Sequence, residues 1–378
     1  MILKNGSFEQ MALRIKQKDK RIVIFGAGMI GTVTTPTILR EYGIEDRVSF
    51  YVDNDRDKCN EGIVAYEKAY DVFRVEHLES VDGRNIVVLL AVSRFSDALS
   101  QLNKFPNLKN AMCYIVPMMC ISNFTPSKEK MVVKDSSEKL IPKVIHYMWL
   151  GEGGIPKPLQ RCIDSWKRYC PDYEIRQWDE TNYDVGKNLY MRQAYARKMF
   201  GFVPDYARLD ILYTYGGIYL DTDVELVKNL DDMLYQEAFC CVEKWQTINL
   251  GGGSGSVKGN KAIGILLKAR EYLEFEDSRG KMNKNTCGYY DTIIMQKYGF
   301  KIQGKKQKIL NMNIYPYEVF HPYDYMSGKL EQTENTYGIH HFHGGWLDER
   351  MKEENRRTSE EYERVYVEAN KGDAQYVI

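Results

Sequence analysis

The sequence has no charge of one sign to spare: 52 basic side chains face 52 acidic ones, for a formal net charge of zero. A protein that holds nucleic acid through a general basic field needs such an excess, so that class is excluded. Long apolar runs are also missing. The run at 86–92, IVVLLAV, falls far short of the ~20 residues that a bilayer span requires. The first residues, MILKNGSFEQMALRIKQKDK, contain no apolar core of a secretory leader. Eight cysteines are present, at 59, 113, 120, 162, 170, 240, 241 and 287, but none forms a C-x-x-C pair. That spacing removes zinc ribbons and thioredoxin-like redox motifs, and leaves reduced thiols, several of them core fillers. The expectation is a cytoplasmic protein, with peripheral contact at the inner membrane face left open. No repeat and no low-complexity tract occurs.

What the chain has in quantity is aromatic rings: 28 Tyr, 14 Phe and 5 Trp, 12% of the residues. Tyrosine joins a flat apolar face to a polar handle, which suits binding surfaces as well as cores. The apolar fraction, 44%, is that of a globular protein. At 378 residues the length predicts two domains or one enlarged one.

Two segments differ in character. Residues 1–120 alternate short apolar runs with helical patterns, as in a small parallel α/β unit. Strands are expected at 21–25 (RIVIF), 48–52 (VSFYV) and 85–92, with a helix over 32–42 ended by Gly43. Residues 121–140 are polar and interrupted, which marks a linker. A new strand opens at 144–150 (VIHYMWL), and 141–347 reads as mixed α/β. The stretch from 348 to 378 is dense in Glu, Arg and Lys and reads as a solvated, charged helical tail.

Between the first strand and its helix lies Gly26-x-Gly28-x-x-Gly31, and Asp53 closes the next strand. Glycines there allow a tight turn and close approach of a pyrophosphate, while an acid at the second strand end can hold a ribose hydroxyl. The alternative is a glycine turn kept for packing alone. The segment resembles the small Rossmann-like domains attached to bacterial surface-polysaccharide enzymes, some of which bind a sugar nucleotide. A dinucleotide or sugar nucleotide at Gly26, Gly28, Gly31 and Asp53 is therefore one expectation. The acids at 53, 55 and 57 read as a polar turn, because the glycine and the twelfth-position acid of a calcium loop are absent.

The most informative stretch is 203–227, VPDYARLDILYTYGGIYLDTDVELV. Pro204 to Tyr215 is helical in pattern, with Pro suited to its first turn and Gly216-Gly217 to stop it. Asp205 and Arg208, three apart, share a face; they are either ligand-holding groups or a buried helix ion pair. A short apolar strand, 218–220, then leads into Asp221-Thr222-Asp223. Carboxylates at i and i+2 on extended chain point to one side and can share a divalent cation. Ligand crevices of open α/β sheets lie at such strand ends.

Taken with its surroundings, Asp205-x-x-Arg208…Gly216-Gly217-Ile218-Tyr219-Leu220-Asp221-x-Asp223 resembles the sugar-binding DXD region of glycosyltransferase family 32. That family includes bacterial capsular polysaccharide transferases and yeast mannosyltransferases. Ile141–Gly151 followed by Cys162-x-x-Ser165-Trp166 resembles its opening strand and helix. Thr336-Tyr337-Gly338-Ile339-His340-His341-Phe342-His343-Gly344-Gly345-Trp346 resembles its closing motif. The likeness runs over about 141–347, in the family's order. It implies a GT-A type α/β fold, a nucleotide diphosphate sugar donor (a UDP-sugar first) and Mn²⁺ or Mg²⁺. Trp149 would stack on the base, Asp205 and Arg208 would hold sugar and diphosphate, and Asp221 would contact hydroxyls or the metal through water. Asp223 would ligate the metal, with His341, five residues before Trp346, completing the set. His340 and His343 stay open as alternatives for the metal. Trp346 would pack on the diphosphate. Asn249, carried by a mobile Gly251–Gly255 loop, would reach donor or acceptor, and Tyr289, Tyr290 and Asp291 would line the acceptor side. The chain departs from the family at Gly345, usually Ser, and at Pro204, also commonly Ser, which puts fine donor contacts in doubt.

The implied activity is retaining transfer of a hexose to a saccharide acceptor, a lipid-linked unit in surface or capsular polysaccharide synthesis. With no assured nucleophilic carboxylate in view, front-face substitution is the expected route. Two rival readings use the same residues: an NAD-linked sugar oxidoreductase built on Gly26–Gly31, and a sugar-nucleotide sensor that binds without turnover.

Overall fold

The computed structural model describes residues 1–65, 67–283, 285–345 and 349–371. The α/β class expected from the sequence is what it shows. The first sheet has six strands, β1 (Ile2–Lys4), β2 (Arg21–Phe25), β3 (Val48–Val52), β4 (Val72–Phe73), β5 (Ile86–Leu90) and β6 (Met112–Ile115). Their order is β1-β6-β5-β2-β3-β4, and every pair is parallel. The chain steps outward from β2 to β3 and β4, then returns to β5 on the other side of β2. That reversal makes the carboxyl ends of β2 and β5 the switch point, where a doubly wound sheet opens a crevice. Ile22 to Ile24 and Val87 to Leu90 are fully buried, as near-continuous apolar strands of a covered parallel sheet should be.

The glycine turn at the end of β2 is real and tight. Gly26 sits at φ +103°, and a Cβ at Gly31 would overlap the Gly26 carbonyl oxygen. The helix that follows starts earlier than its periodicity predicts. A π-helical stretch, Ile30–Thr34, runs into α1 (Thr35–Glu41), with Pro36 in its first turn. The acids after β3 form the expected polar turn: Asp53 Oδ1 accepts the Asp55 N–H, and Asp55 caps the short helix Arg56–Glu61.

The second sheet is mixed. Strands β7 (Val144–Met148), β8 (Glu174–Trp178) and β9 (Gly217–Tyr219) are mutually parallel around β7. Beyond β9 come β11 (Ala238–Val242), β13 (Ser254–Ser256), β14 (Gln307–Ile309) and β15 (Met312–Tyr315), in the order β9-β13-β11-β15-β14. A short β12 (Ile248–Asn249) joins β11, and a separate antiparallel pair is formed by β10 (Val224–Leu226) and β16 (Gly338–His340). Helix α2 (Pro204–Tyr215) covers β9 with the bounds its sequence predicts, and Gly216 (φ +70°) and Gly217 (φ +101°) turn the chain into that strand.

Three features depart from the sequence reading. Residues 125–140 run along the second sheet, with Asp135 N–H bonded to Tyr235 C=O and Leu140 N–H to Leu234 C=O. The charged segment forms helix α3 (Glu349–Lys371), and it is only half solvated. Its outer side carries pairs such as Arg356 with Glu353, while Thr358, Tyr362, Val365 and Ala369 are buried. The Asn5 N–H, just past β1, bonds to the Ala369 carbonyl, and Arg357 pairs with Asp97 at 2.8 Å, so α3 packs on the first sheet. The hydrophobic core, moreover, does not stop between the sheets: one cluster runs from Ile24 and Leu89 to Met148, Leu209 and Ile263. Among the described residues no helix is long and apolar enough to cross a membrane.

Candidate active site

The D-x-D stretch leaves β9 and turns at once into β10. Asp221 N–H bonds to the Gly251 carbonyl at 2.8 Å, which ties the first acid to the glycine segment before β13. That segment, whose composition suggests a mobile loop, is packed closely against buried groups. A Cβ at Gly251 would overlap Asp221 Oδ2, one at Gly252 the His321 ring, and one at Gly253 would press on the Phe320 ring. Glycine is required here because backbone passes directly beneath the acid and two buried rings. Asn249 supports the turn, its Oδ1 accepting the N–H groups of Gly251 (3.0 Å) and Gly252 (3.1 Å).

Asp205, in the first turn of α2, and Arg208 both lie buried, at 6% and 4% exposure. Arg208 Nη2 stands 3.5 Å from Asp205 and 3.3 Å from Asp221, so one guanidinium bridges the helix acid and the strand-end acid. Its Nη1 reaches Cys287 Sγ at 3.3 Å, and its Nε has no partner among the described residues. Burial pushes the Asp205 carboxyl up to about 6, against the pull of Arg208. The pair is a buried ion pair, and both residues line the cleft.

Asp223 is gripped by the closing motif. One oxygen lies 3.2 Å from His340 Nε2, and the other accepts the His343 N–H at 2.9 Å. Burial alone would raise this carboxyl, but His340 and the His343 N–H hold it well below the usual range. Burial likewise pulls His340 down, and Asp223 more than restores it. Ligand atoms of Asp221, Asp223 and His340 all fall within 4.8 Å of one another. Two carboxylate oxygens and one imidazole nitrogen suit a divalent ion such as Mn²⁺.

His341, the ring that the family spacing puts in this set, is elsewhere: its Nε2 meets Glu225 Oε2 at 2.9 Å on the exposed side. Strand alternation is the reason. β16 pairs with β10 in the register Val224 to His340, so His340 faces inward and the next side chain faces out. Replacing His340 by Ala is expected to weaken Mn²⁺ binding about 10–100-fold, as loss of even an outer partner does, whereas His341→Ala leaves it unchanged. A manganese titration of the two variants by electron paramagnetic resonance checks this.

Trp149 follows β7, half-buried on the cleft wall, with Nε1 donating to the Gly153 carbonyl at 3.1 Å. Tyr289 lines the cleft as well. Asp291 does not: it is fully buried in an ion pair with Arg270 at 2.7 Å. Trp346 lies outside the described residues. Gly26, Gly28 and Asp53 also line this cleft, although Asp53 turns one oxygen back to accept the Ala27 N–H at 2.7 Å. Glu243, just past β11, was not anticipated. It is 8% exposed, lines the cleft, and accepts from Thr247 Oγ1 at 2.5 Å and from Asn249. Burial raises its carboxyl. The signal was available, since FCCVE ends an apolar run with an acid just as GIYLD does.

Paired strand-end carboxylates, a buried guanidinium and an inward imidazole around one cleft define a site for a metal and an anionic ligand. Residues 156–240 match the family described as a glycosyltransferase sugar-binding region containing the DXD motif. The chain thus carries the DXD-type region that its motifs resemble. It is 30% identical over 148 residues to inositol phosphoceramide mannosyltransferase 1 of Schizosaccharomyces pombe, a match covering 35% of this chain and 44% of that protein. It is also 30% identical over 163 residues to an uncharacterized glycosyltransferase of Acanthamoeba polyphaga mimivirus, covering 41% of this chain and 65% of that one. The chain therefore spans less than two thirds of either relative. Among solved structures, the PaToxG glycosyltransferase is similar at 18% identity and TM-score 0.33, over 42% of this chain and 69% of that chain.

Proposed function

We propose that this protein is a metal-dependent, retaining glycosyltransferase of GT-A type, moving a hexose from a nucleotide diphosphate sugar to a saccharide hydroxyl. The observation that carries the reading is the convergence of Asp221, Asp223 and His340 beside Arg208 in one cleft. A divalent ion held by those three would offset charge on the departing diphosphate. Arg208, always cationic and fork-shaped, is placed to bind a phosphate oxygen by exchanging its weak contact with Asp221 for a charge-assisted one. Asp205 and Asp221 accept hydroxyls of the sugar or ribose. Trp149, its ring pinned by Gly153, offers a flat face to the base. Glu243 and Asn249 form a polar floor that can orient a sugar hydroxyl, while front-face departure keeps the anomeric configuration.

A UDP-sugar is the first donor to test, and the fission-yeast relative's name puts a mannose donor beside it. The wider role is surface polysaccharide synthesis on a lipid-linked acceptor, at the cytoplasmic face of the membrane. The test is a panel of nucleotide sugars assayed for release of free nucleotide, with Mn²⁺ and with excess chelator. Release from one sugar, abolished by chelator, is expected. Release that ignores the chelator, or none from any donor, overturns the reading.

A further inference from the structure

We propose that the first sheet forms the acceptor wall of the transferase cleft, and that the acceptor seated there is an uncharged saccharide. This rests on the transferase reading above and deepens it.

The argument starts from space. The cleft measures about 1540 Å³, and its lining alternates between the sheets: Gly28, Lys58 and Arg94 from the first, Trp149, Arg208 and Asp223 from the second. Sites for one small ligand run to roughly 300–1,000 Å³, so a second ligand fits beside a nucleotide sugar. The first sheet is also built against the metal set. Thr34 Oγ1 donates to the Trp245 carbonyl at 2.9 Å, and the Tyr325 hydroxyl to Ser93 Oγ at 3.1 Å. The Tyr325 ring lies 5.5 Å from Phe342, whose ring lies 4.1 Å from His340.

Charge decides what this wall can hold. Among the described residues on this side of the cleft the cations are Lys58 and Arg94, with Arg279 and Lys281 reaching over from the second segment. Each is already answered: Lys58 by Asp53 at 3.4 Å, Arg94 by Glu354 at 3.3 Å, Arg279 by Glu61 at 3.0 Å and Lys281 by Glu61 at 3.1 Å. The Ala27 N–H, which a phosphate would want, is taken by Asp53. Asp55 adds a further carboxylate to the lining, while Asp97 is answered by Arg357. Such a surface accepts hydrogen bonds from sugar hydroxyls and repels phosphate or carboxylate, so any carrier phosphate on the acceptor stays outside the cleft. The glycine loop then has a steric task. Gly26 and Gly31 are needed for the turn, but a Cβ at Gly28 would meet nothing within 4 Å, and Gly28 faces the cleft. That open position leaves room for the acceptor.

Gly28→Trp in the whole chain puts a bulky ring on the wall from a position where a Cβ meets nothing within 4 Å. With Mn²⁺ and the active donor, the acceptor KM for neutral oligosaccharides should rise about tenfold or more, roughly 1.4 kcal/mol of binding. The donor KM should stay put, donor hydrolysis by water should continue, and the melting temperature should be unchanged. Wild type should use neutral acceptors better than carboxylated or phosphorylated analogues. An unmoved acceptor KM, or transfer and hydrolysis falling together, overturns the proposal. So does preference for an anionic acceptor, or calorimetry showing two nucleotides bound per chain with one lost in Gly28→Trp. Absence of donor turnover in wild type is a different outcome: it fails the transferase reading itself, and the acceptor wall with it.

Discussion

Asp223→Ala is expected to lose sugar transfer by at least about a hundredfold, since removal of a mere outer partner of a metal ligand already costs about 10–100-fold. Asp223 does two things that the variant separates from its neighbours. It offers a carboxylate oxygen to the same point as Asp221 and His340, and its side chain anchors the closing segment through His340 and the His343 N–H. Beside these, the His341 N–H bonds to its main-chain carbonyl, a contact that any substitution keeps. Asp223→Asn keeps the second task, because an amide oxygen still accepts the His343 N–H, but gives up the charge. Both variants should therefore fail to bind Mn²⁺ tightly, while only the alanine should loosen residues 340–343. Metal titration and kcat for each variant, with hydrogen exchange over the closing segment, make the comparison. Unchanged turnover of every tested UDP-sugar in Asp223→Ala would remove the metal from the mechanism.

The parts of the fold that a linear reading captured are those where local signals suffice. Helix Pro204–Tyr215 declares itself by proline at its start and paired glycines at its end. Strands 21–25 and 48–52 are apolar runs bounded by turns. Edge pairing is different. Ile2–Lys4 becomes a strand only because Met112–Tyr114 lies alongside it, and three residues carry no period of their own. The last helix hides its buried stripe for a similar reason: Thr358, Tyr362, Val365 and Ala369 are outnumbered by charged neighbours, so its composition reads as solvated. At the site, residue types were legible and facing was not. Counting back from a closing tryptophan selects His341, but the pairing of β16 with β10 decides which ring turns inward, and that is His340. Gly251 to Gly253 look flexible as letters and prove to be spacers, each beneath a group too large to share its place with a Cβ.

Arg208 carries the second large effect, because stability and catalysis both pass through it. Its side chain is 5% exposed, and it faces Asp205 and Asp221 with the Tyr219 ring 5.5 Å away. Breaking a buried ion pair by removing one partner typically costs about 3–5 kcal/mol, and losing a preorganised donor at a developing anion costs about 10²–10³ in kcat. Arg208→Ala should show both losses. Arg208→Lys keeps the charge without the planar fork, so most of the stability should return while kcat stays low. The stability loss should also depend on pH, with a sign set by Asp205. Burial raises that carboxyl to about 6 in the folded protein, above its unfolded value, so the folded state holds the proton more tightly. The stabilisation this brings is complete below the unfolded range and disappears as pH rises through about 6. Above that point wild type relies chiefly on Arg208 to balance the ionised Asp205, and in Arg208→Ala the smaller pull of Arg270 is left to do so. Melting-temperature differences between wild type and Arg208→Ala should accordingly be larger at about pH 8 than at about pH 5. Equal deficits at the two values would mean that Arg208 acts through packing rather than through the charge of Asp205.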